Sequence, residues 1–326
     1  MKVLHISFHQ GCQNDIEYIS ERLGFELEFM KFTDGVTNNN ELYNITRERA
    51  KNAWDNYKDY YNKFDCIITS DTAPISRVFL QNNWQKNLII WICNRFDYSH
   101  GTNSGFPDEE YYDLIRSVKN RKNVEIIGYT DFENYYANYI RNCDIGFDII
   151  KPIGVLSINN QNYTSTIVEN KEKTFFVGSY HNDNIMIDLA SKLKELNIKV
   201  YQGRYNGPRD LSEFKGIVHI PYAWSNLALF EAINLQIVYI IPSLNFFNSL
   251  KKDKDFFWSP PYREEVIGLS EWYNCYYKDV IIYFDSWEDL FIKIKKTNFM
   301  EKKISLFNLG IKMNKNKLEK WGNIIM

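Results

Sequence analysis

The amino-acid sequence predicts an α/β fold built from two doubly wound parallel sheets, and three observations carry this prediction. The chain has 326 residues, which is too long for one ordinary doubly wound domain and suits two. Short apolar runs rich in Val, Ile and Phe alternate with longer amphipathic stretches, as in parallel strands joined by crossover helices. This alternation occurs twice, on either side of an irregular segment at residues 151–173. We therefore expect two similar domains.

The individual elements follow from these runs. In the first half, strands are predicted at residues 2–8, 25–32, 65–70, 87–93 and 124–129, with helices near residues 15–23, 41–61, 74–81, 108–119 and 131–142. In the second half, strands are predicted at residues 174–179, 198–203, 216–222, 237–243 and 280–284, with helices near residues 183–196, 225–235, 287–295 and 302–321. Each apolar run has the length of a buried strand, and each intervening stretch is long enough for a helix.

Composition excludes several classes of protein. Hydrophobic residues make up 44% and charged residues 25% of the chain, which is usage typical of a globular protein. The formal net charge of -2 gives no positive field that would attract nucleic acid. Five scattered cysteines without CxxC spacing favour a reducing compartment. Since no run approaches the length of a transmembrane segment or signal peptide, we expect a cytoplasmic protein.

Residues that follow the predicted strands are the first candidates for binding, because ligands of doubly wound sheets bind beyond the carboxyl ends of the strands. In the second half these candidates are Gly178, Ser179, Gly203, Arg204, His219, Tyr222, Ser225 and Asn226. Arg204 could hold a diphosphate through its fork of donors, with a plain surface charge as the alternative. Gly178 and Ser179 could offer amides to phosphate or form an ordinary loop. His219 is either a base or phosphate contact or a buried core histidine.

The most informative segment, residues 218–243, reads as a strand, a polar turn, a helix and a second buried strand. Ser225 is predicted to cap the helix, whose N-terminus is a favourable place for phosphate. Within the helix, Glu231 shares a stripe with Leu227 and Leu235. A carboxylate among apolar neighbours needs a partner. That partner is either an Arg or backbone amide of the protein or a hydroxyl of a bound ligand.

This segment resembles the donor-binding element of GT-B glycosyltransferases, in which a Glu-Ala pair on a helix precedes a strand and a Pro-Ser or similar turn. The resemblance assigns Glu231 and Ala232 to the Glu-Ala pair, and Ser225 and Asn226 to the surroundings of the phosphates. It implies that Glu231 accepts hydrogen bonds from the nucleotide ribose. Ala223 stands where many retaining members carry a second glutamate, so the stereochemical outcome stays open.

The resemblance also implies roles for the domains. Residues 1–155 would form an acceptor-side Rossmann-like domain and residues 156–300 a Rossmann-like domain for the nucleotide sugar. The two would face a cleft that holds both substrates. Residues 301–326 would form a helix that crosses back to the N-terminal domain.

Five residues after strands of the first half are candidates for the acceptor side, namely His9, Gly11, Asp71, Arg95 and Asp97. A histidine at the end of the first strand can act as a general base because its ordinary pKa lies near neutrality. Arg95 and Asp97 share a loop with aromatic residues, which suits a sugar acceptor, and a loop salt bridge is the alternative. Asp71 is also expected to cap the helix that begins near residue 74.

We therefore expect a glycosyltransferase that moves a sugar from a UDP- or GDP-linked donor to a hydroxyl of a glycan or another acceptor. Asp97 or His9 would be the base of an inverting reaction. No cofactor and no metal are expected, because the DxD string at residues 253–255 lies in a lysine-rich surface stretch and Arg204 can stabilise the leaving diphosphate. Two alternatives stay open: a nucleotide-sugar epimerase of the same shape, and a catalytically silent glycan- or nucleotide-binding module.

Overall fold

The computed structural model describes residues 1–30, 45–93, 96–97, 108–155, 168–179, 187–224, 226–251 and 264–325. The chain divides into two compact units. The first unit comprises Met1–Ile153 together with Lys315–Met326, and the second comprises Gly154–Asn314. The last helix therefore contributes to both units, with the division between Asn314 and Lys315.

The described part of the first unit holds one five-stranded parallel sheet. Its strands are β1 (Lys2–Ile6), β2 (Glu26–Met30), β3 (Cys66–Asp71), β4 (Asn87–Ile92) and β5 (Val124–Gly128), in the spatial order β2-β1-β3-β4-β5. Its helices are α1 (Gln10–Leu23), α2 (Arg47–Tyr61), α3 (Arg77–Leu80), α4 (Glu109–Val118) and α5 (Asp131–Tyr135). Every residue of β3 is buried, as expected for a central parallel strand covered on both faces.

The described part of the second unit repeats this plan. Its strands are β6 (Phe175–Gly178), β7 (Val200–Gly203), β8 (Gly216–Val218), β9 (Tyr239–Pro242) and β10 (Ile282–Phe284), in the order β10-β9-β8-β6-β7. Its helices are α6 (Leu189–Glu195), α7 (Pro208–Ser212), α8 (Leu227–Asn234), α9 (Leu244–Lys251), α10 (Trp287–Lys296) and α11 (Phe299–Ile325), the last of which runs on into the first unit. The fold is thus α/β with two Rossmann-like halves, as the alternation of apolar runs predicts.

Side-chain contacts within the first unit hold the end of α11 against its sheet. The indole rings of Trp91 and Trp321 meet edge to face at 5.4 Å between centroids. Both are buried, and Lys317 Nζ donates to the carbonyl of Pro152 at 2.6 Å. Buried aromatic pairs of this kind add stability beyond the area that they bury.

A close backbone approach positions α8 in the second unit. Gly154 has a φ of 77°, and a Cβ at this position would lie 2.5 Å from the carbonyl carbon of Phe230 and 2.6 Å from the amide nitrogen of Glu231. The Gly154 carbonyl also accepts a hydrogen bond from Asn234 Nδ2 at 3.0 Å. Only glycine satisfies both the left-handed conformation and the contact. This contact between Gly154 and the backbone of α8 therefore fixes the position of the helix within the second unit.

Two predicted helix caps are wrong. Asp71 is the last, buried residue of β3, and Thr72 takes the N-cap position of the short 3₁₀ helix Ala73–Ser76 that follows. Asp71 ends the strand with a φ of 80°, so the residue that precedes the helix and takes the N-cap position is Thr72 instead. In the second unit, α8 begins at Leu227 with Asn226 at its N-cap, one residue later than predicted. Ser225 itself lies outside the described residues.

Several helices also differ from the sequence-based prediction. The helix predicted at residues 74–81 divides into the 3₁₀ turn Ala73–Ser76 and α3, and α5 passes into the wider π-type turn Tyr136–Ile140. The short helices α7 and α9 have no counterpart in the prediction. They have only five and eight residues, which show too little periodicity to be recognised in a sequence.

Candidate functional site

The strand orders define where each sheet can bind a ligand. In the second sheet, β7 and β8 lie on opposite sides of β6, and in the first sheet β2 and β3 lie on opposite sides of β1. Crossovers on opposite sides of one strand leave a crevice at its carboxyl end, where ligands of doubly wound sheets bind. Candidate residues at the carboxyl ends of β6 and β8, and of β1 and β3, therefore carry most weight.

At this edge of the second sheet, Gly178 and Gly203 are in register as the last residues of β6 and β7. A Cβ on Gly203 would lie 2.6 Å from the Tyr201 hydroxyl, so a side chain there would displace the Tyr201 ring. The same hydroxyl donates to the carbonyl of Arg204 at 3.1 Å. Ser179 and Arg204 are exposed immediately beyond the two strands. Their side chains are accessible to an anionic ligand at the switch point.

His219, just after β8, is a buried histidine within an aromatic cluster. Its ring lies 4.6 Å from Trp272, 5.7 Å from Tyr222 and 5.7 Å from Tyr239, measured between centroids. Its backbone amide continues the sheet by donating to the carbonyl of Ile240 at 3.0 Å. This placement matches the alternative of a core histidine and leaves its ring as one wall of the region beside α8.

Glu231 lies half-buried on α8, and its charge acts on two tyrosines from separate parts of the second unit, Tyr205 after β7 and Tyr239 at the start of β9. Burial, with the nearby Glu231 carboxylate and the Tyr222 phenol as further causes, raises the pKa of Tyr205. Burial likewise raises the pKa of Tyr239, and Tyr205, Tyr222 and Glu231 add to that shift. The Glu231 carboxylate therefore lies close enough to Tyr205 and Tyr239 to raise the pKa values of their phenols, and such a group of polar and aromatic side chains can bind hydroxyl and aromatic groups of a ligand.

The turn before α8 is held by a side-chain hydrogen bond. Asn226 Nδ2 donates to the Tyr222 hydroxyl at 2.9 Å, so the Asn226 side chain makes no capping bond to the helix. The N-terminus of α8 directs its amides and the positive end of its dipole toward the same edge. Tyr222 and Asn226, in the turn, and Glu231, on the helix, thus lie around the first part of α8.

In the first unit, His9 and Asp71 lie at the switch point after β1 and β3. His9 is the exposed N-cap residue of α1, and its backbone amide donates to Ser7 Oγ at 3.2 Å. Gly11 is buried in the first turn of that helix. Asp71 is buried with a positive φ, a strained conformation for a residue with a side chain. Such strain is concentrated at functional positions.

Two cysteines join this group, and sequence reasoning did not select them. Cys12, in the first turn of α1, forms a side-chain hydrogen bond with Cys93, which follows β4. The hydrogen bond with Cys93 lowers the pKa of the Cys12 thiol, burial opposes it, and a hydrogen bond with His9 adds to the lowering, so that the pKa lies at about 7. Burial raises the pKa of Cys93. Scattered cysteines carry no signal in a sequence until the fold brings them together.

Asp97 has structural partners on both sides. Its carboxylate lies 2.6 Å from Arg141 Nε and accepts a hydrogen bond from the Tyr112 hydroxyl at 2.5 Å, and its side chain is only 5% exposed. This geometry matches the salt-bridge alternative for that loop. Arg95, the other candidate of the loop, lies outside the described residues.

A buried histidine of the first sheet was also missed. His5, on β1, is fully buried with Nε2 at 2.8 Å from Ser70 Oγ. Burial lowers its pKa to about 3, so the imidazole is neutral at physiological pH. Its position in β1, where four consecutive residues are buried, marks it as a core residue rather than a ligand contact.

Among the described residues, no group of three or more His, Cys, Asp and Glu side chains has an arrangement that could hold a metal ion. The DxD string at residues 253–255 lies outside that part of the chain. No helix within the described ranges combines the length and apolar character needed to cross a membrane.

Solved glycosyltransferase structures share this architecture over nearly the whole chain. The glycotransferase of kitacinnamycin matches with a TM-score of 0.51 and 9% identity, over 99% of this chain and 97% of that one. The calicheamicin glycosyltransferase CalG4 matches with a TM-score of 0.52 and 10% identity, over 99% and 98%. The glycosyltransferase SnogD from Streptomyces nogalater matches with a TM-score of 0.50 and 9% identity, over 96% of each chain.

No protein-family model matches the chain, and no curated protein matches its sequence. At identities of 9–10% the structural likeness is one of fold. The chain has the two-domain, Rossmann-like α/β fold of GT-B glycosyltransferases, as the resemblance of residues 218–243 implies.

Proposed function

We propose that this chain is a glycosyltransferase that transfers a sugar from a UDP- or GDP-linked donor to a hydroxyl of a glycan or another acceptor, without a metal ion. Its fold is that of glycosyltransferases, and fold alone does not determine chemistry. The proposal therefore depends on the residues at the carboxyl edges of the two sheets.

The observation that carries the proposal is the environment of Glu231. Glu231 is half-buried on α8, about one turn after the helix begins, and its carboxylate interacts electrostatically with the phenols of Tyr205 and Tyr239. A carboxylate accepts hydrogen bonds from both hydroxyls of a ribose. A nucleotide whose phosphates lie at the start of α8 would bring its ribose to this carboxylate one helical turn further on.

The same edge offers groups for the diphosphate. Arg204 and Ser179 are exposed beyond β7 and β6, and the amides at the start of α8 point to the same side. A guanidinium and helix amides can stabilise the negative charge that develops on the leaving nucleoside diphosphate. The leaving group is then stabilised by the protein itself, which is why we propose a reaction without metal.

On the acceptor side, we assign the base to His9. Its side chain is exposed at the switch point after β1, whereas the carboxylate of Asp97 is held by Arg141 and Tyr112. In an inverting transfer, His9 would take the proton of the acceptor hydroxyl while the acceptor oxygen bonds to the anomeric carbon. The bond from that carbon to the diphosphate oxygen breaks, and the nucleoside diphosphate leaves with the electron pair.

A thermal-shift screen with UDP, GDP and CDP tests the donor site. A ligand that binds the native state alone raises its melting temperature by mass action, so the matching nucleoside diphosphate should stabilise the chain. Turnover of the corresponding nucleotide sugars is then measured with and without glycan acceptors. Product that forms only with an acceptor supports transfer, whereas turnover of the sugar without acceptor indicates an epimerase. Binding without any turnover indicates a binding module.

A further inference from the structure

An apolar stripe is exposed along α11, within the part of that helix that belongs to the second unit. Met300 is 67% exposed, Ile304 56%, Phe307 51% and Ile311 58%. At 3.6 residues per turn these four side chains lie within a sector of about 60° around the helix axis. A contiguous row of large exposed apolar side chains marks an interaction surface rather than a chance exposure.

The stripe is exposed although the helix is firmly held on another face. Leu306 is buried, and Gly310 lies so close to α8 that an added Cβ would be 3.4 Å from Ile233 Cγ2. Asn314 Nδ2 donates to Asn234 Oδ1 at 3.0 Å. The face that packs on the second unit is therefore already occupied, and the stripe needs a different partner.

The spacing of the stripe is the same in both directions along the helix. Its four residues are separated by four, three and four positions. Two such helices that cross in antiparallel orientation place Met300 of one copy against Ile311 of the other, and Ile304 against Phe307. A pattern that matches its own reverse is what a two-fold symmetric, isologous interface requires.

The charged residues beside the stripe fit the same arrangement. Glu301 and Lys312 are both exposed, lie on the same flank of the stripe, and are eleven positions apart, as are Met300 and Ile311. In an antiparallel pair, like flanks face each other. Glu301 of one copy then lies within about 3 Å, measured along the axis, of Lys312 of the other. The flank carries both signs of charge, which favours a second copy over an anionic lipid surface.

We propose that α11 pairs with α11 of a second copy of this chain in antiparallel orientation, with Met300, Ile304, Phe307 and Ile311 at the centre and two Glu301–Lys312 ion pairs at the edges. The proposal is independent of the enzymatic function, since it uses no residue of the candidate site.

Sedimentation velocity across micromolar concentrations tests the pairing directly. The parent chain should sediment as a dimer that dissociates on dilution. Phe307→Lys should sediment as a monomer whose melting temperature equals that of the parent chain diluted below its dimer dissociation constant, because the side chain is half exposed in the isolated chain. Ile304→Lys should behave in the same way. Tyr139→Lys, which replaces an exposed aromatic residue of the first unit, serves as the control and should stay dimeric.

A charge exchange tests the orientation. Glu301→Lys and Lys312→Glu should each raise the dimer dissociation constant by about fivefold, since each creates two like-charge contacts per dimer. The double variant Glu301→Lys/Lys312→Glu should return to the parent value. Three results would overturn the proposal: a parent chain that stays monomeric, a dimer that survives Phe307→Lys, or sedimentation with phosphatidylglycerol vesicles that Phe307→Lys abolishes.

Discussion

At the scale of single residues, the candidate functional side chains differ in how many protein groups they already contact. Glu231 lies among phenols that come from distant parts of the second unit, and His9 is exposed at the start of α1. Asp97, by contrast, is buried between a guanidinium and a phenol. A carboxylate that already has two partners is a poor acceptor for a substrate proton, so the two catalytic candidates of the first unit are separable by mutation.

Glu231→Gln should weaken nucleotide binding by about ten- to a hundredfold, because hydrogen bonds to a charged group contribute roughly 1.5–3 kcal/mol. Titration calorimetry with the stabilising nucleoside diphosphate measures this loss, and the melting temperature should stay near the parent value. Glu195→Gln is the matched control, since that exposed glutamate pairs only with Lys192 on its own helix among the contacts described. A large fall in melting temperature with unchanged affinity would make Glu231 a structural residue.

His9→Asn should lower turnover by about 10²- to 10⁴-fold while nucleotide affinity is kept, because a positioned base is lost and asparagine remains a good N-cap. Asp97→Asn should behave in the opposite way, with a loss of stability of about 2–4 kcal/mol from the uncompensated Arg141 charge and a smaller change in turnover per folded molecule. Steady-state kinetics and urea unfolding of both variants separate the two roles. If Asp97→Asn lost turnover at full stability, the base would be Asp97.

His5 predicts a dependence of stability on pH. Its folded-state pKa of about 3 lies below the value of 6.5 for the unfolded chain, so only the unfolded chain gains this proton as the pH falls through 6.5. Between pH 7 and pH 5 the free energy of unfolding should therefore fall by about 2 kcal/mol from this group alone. Urea unfolding at both pH values, compared with His5→Gln, isolates the contribution. An equal pH dependence in the variant would contradict it.

At the scale of elements, α8 is positioned by a neighbouring segment of backbone. Gly154 approaches Phe230 and Glu231 so closely that no side chain fits between them. The helix that carries the candidate ribose contact is thus set by the first residue of the second unit. Its sequence alone does not contain this information, because Gly154 and α8 are separated by more than seventy positions.

Gly154→Ala should destabilise the chain by more than the cost of a left-handed alanine, because the new methyl group also meets the backbone of α8. Gly146→Ala is the matched control: its φ of 80° is equally left-handed, and no atom lies within 4 Å of the added Cβ. The control should cost about 1–2 kcal/mol and Gly154→Ala about 3 kcal/mol or more, with a loss of nucleotide affinity in Gly154→Ala only. Equal losses of stability in the two variants would show that α8 moves to accommodate the methyl group without a loss of folding free energy.

At the scale of the whole molecule, the proposed reaction needs no metal, because Arg204, Ser179 and the amides of α8 can meet a diphosphate. We expect turnover to persist in excess EDTA with the donor that the thermal-shift screen identifies. Added magnesium or manganese should change the rate by less than a factor of about ten, which corresponds to about 1.4 kcal/mol in activation free energy. Complete loss of turnover in EDTA that manganese restores would replace this mechanism with a metal-assisted one.

The fold could be predicted from the sequence, and the residues proposed for the donor side follow from a local pattern that stays a prediction. The buried central strands, such as β3 and β9, coincide with short apolar runs of the sequence, whereas the edge strands β2 and β7 are more exposed. The residues that a strand or helix buries recur at a fixed spacing along the chain, so a short stretch of sequence is enough to recognise the element. The placement of Tyr222, Asn226 and Glu231 on one helix and its preceding turn is local in the same sense.

Only the tertiary structure decided which side chains meet across the sheets. The ion pair of Asp97 with Arg141, the contact of Cys12 with Cys93, and the approach of Gly154 to α8 all join segments that are far apart in the chain. Their geometry depends on the order of the strands and on packing within a few tenths of an ångström, and neither is encoded by any local period. The sequence by itself therefore determined the elements and the class of fold, whereas the partners of each polar group, and with them its chemistry, were set when the elements packed together.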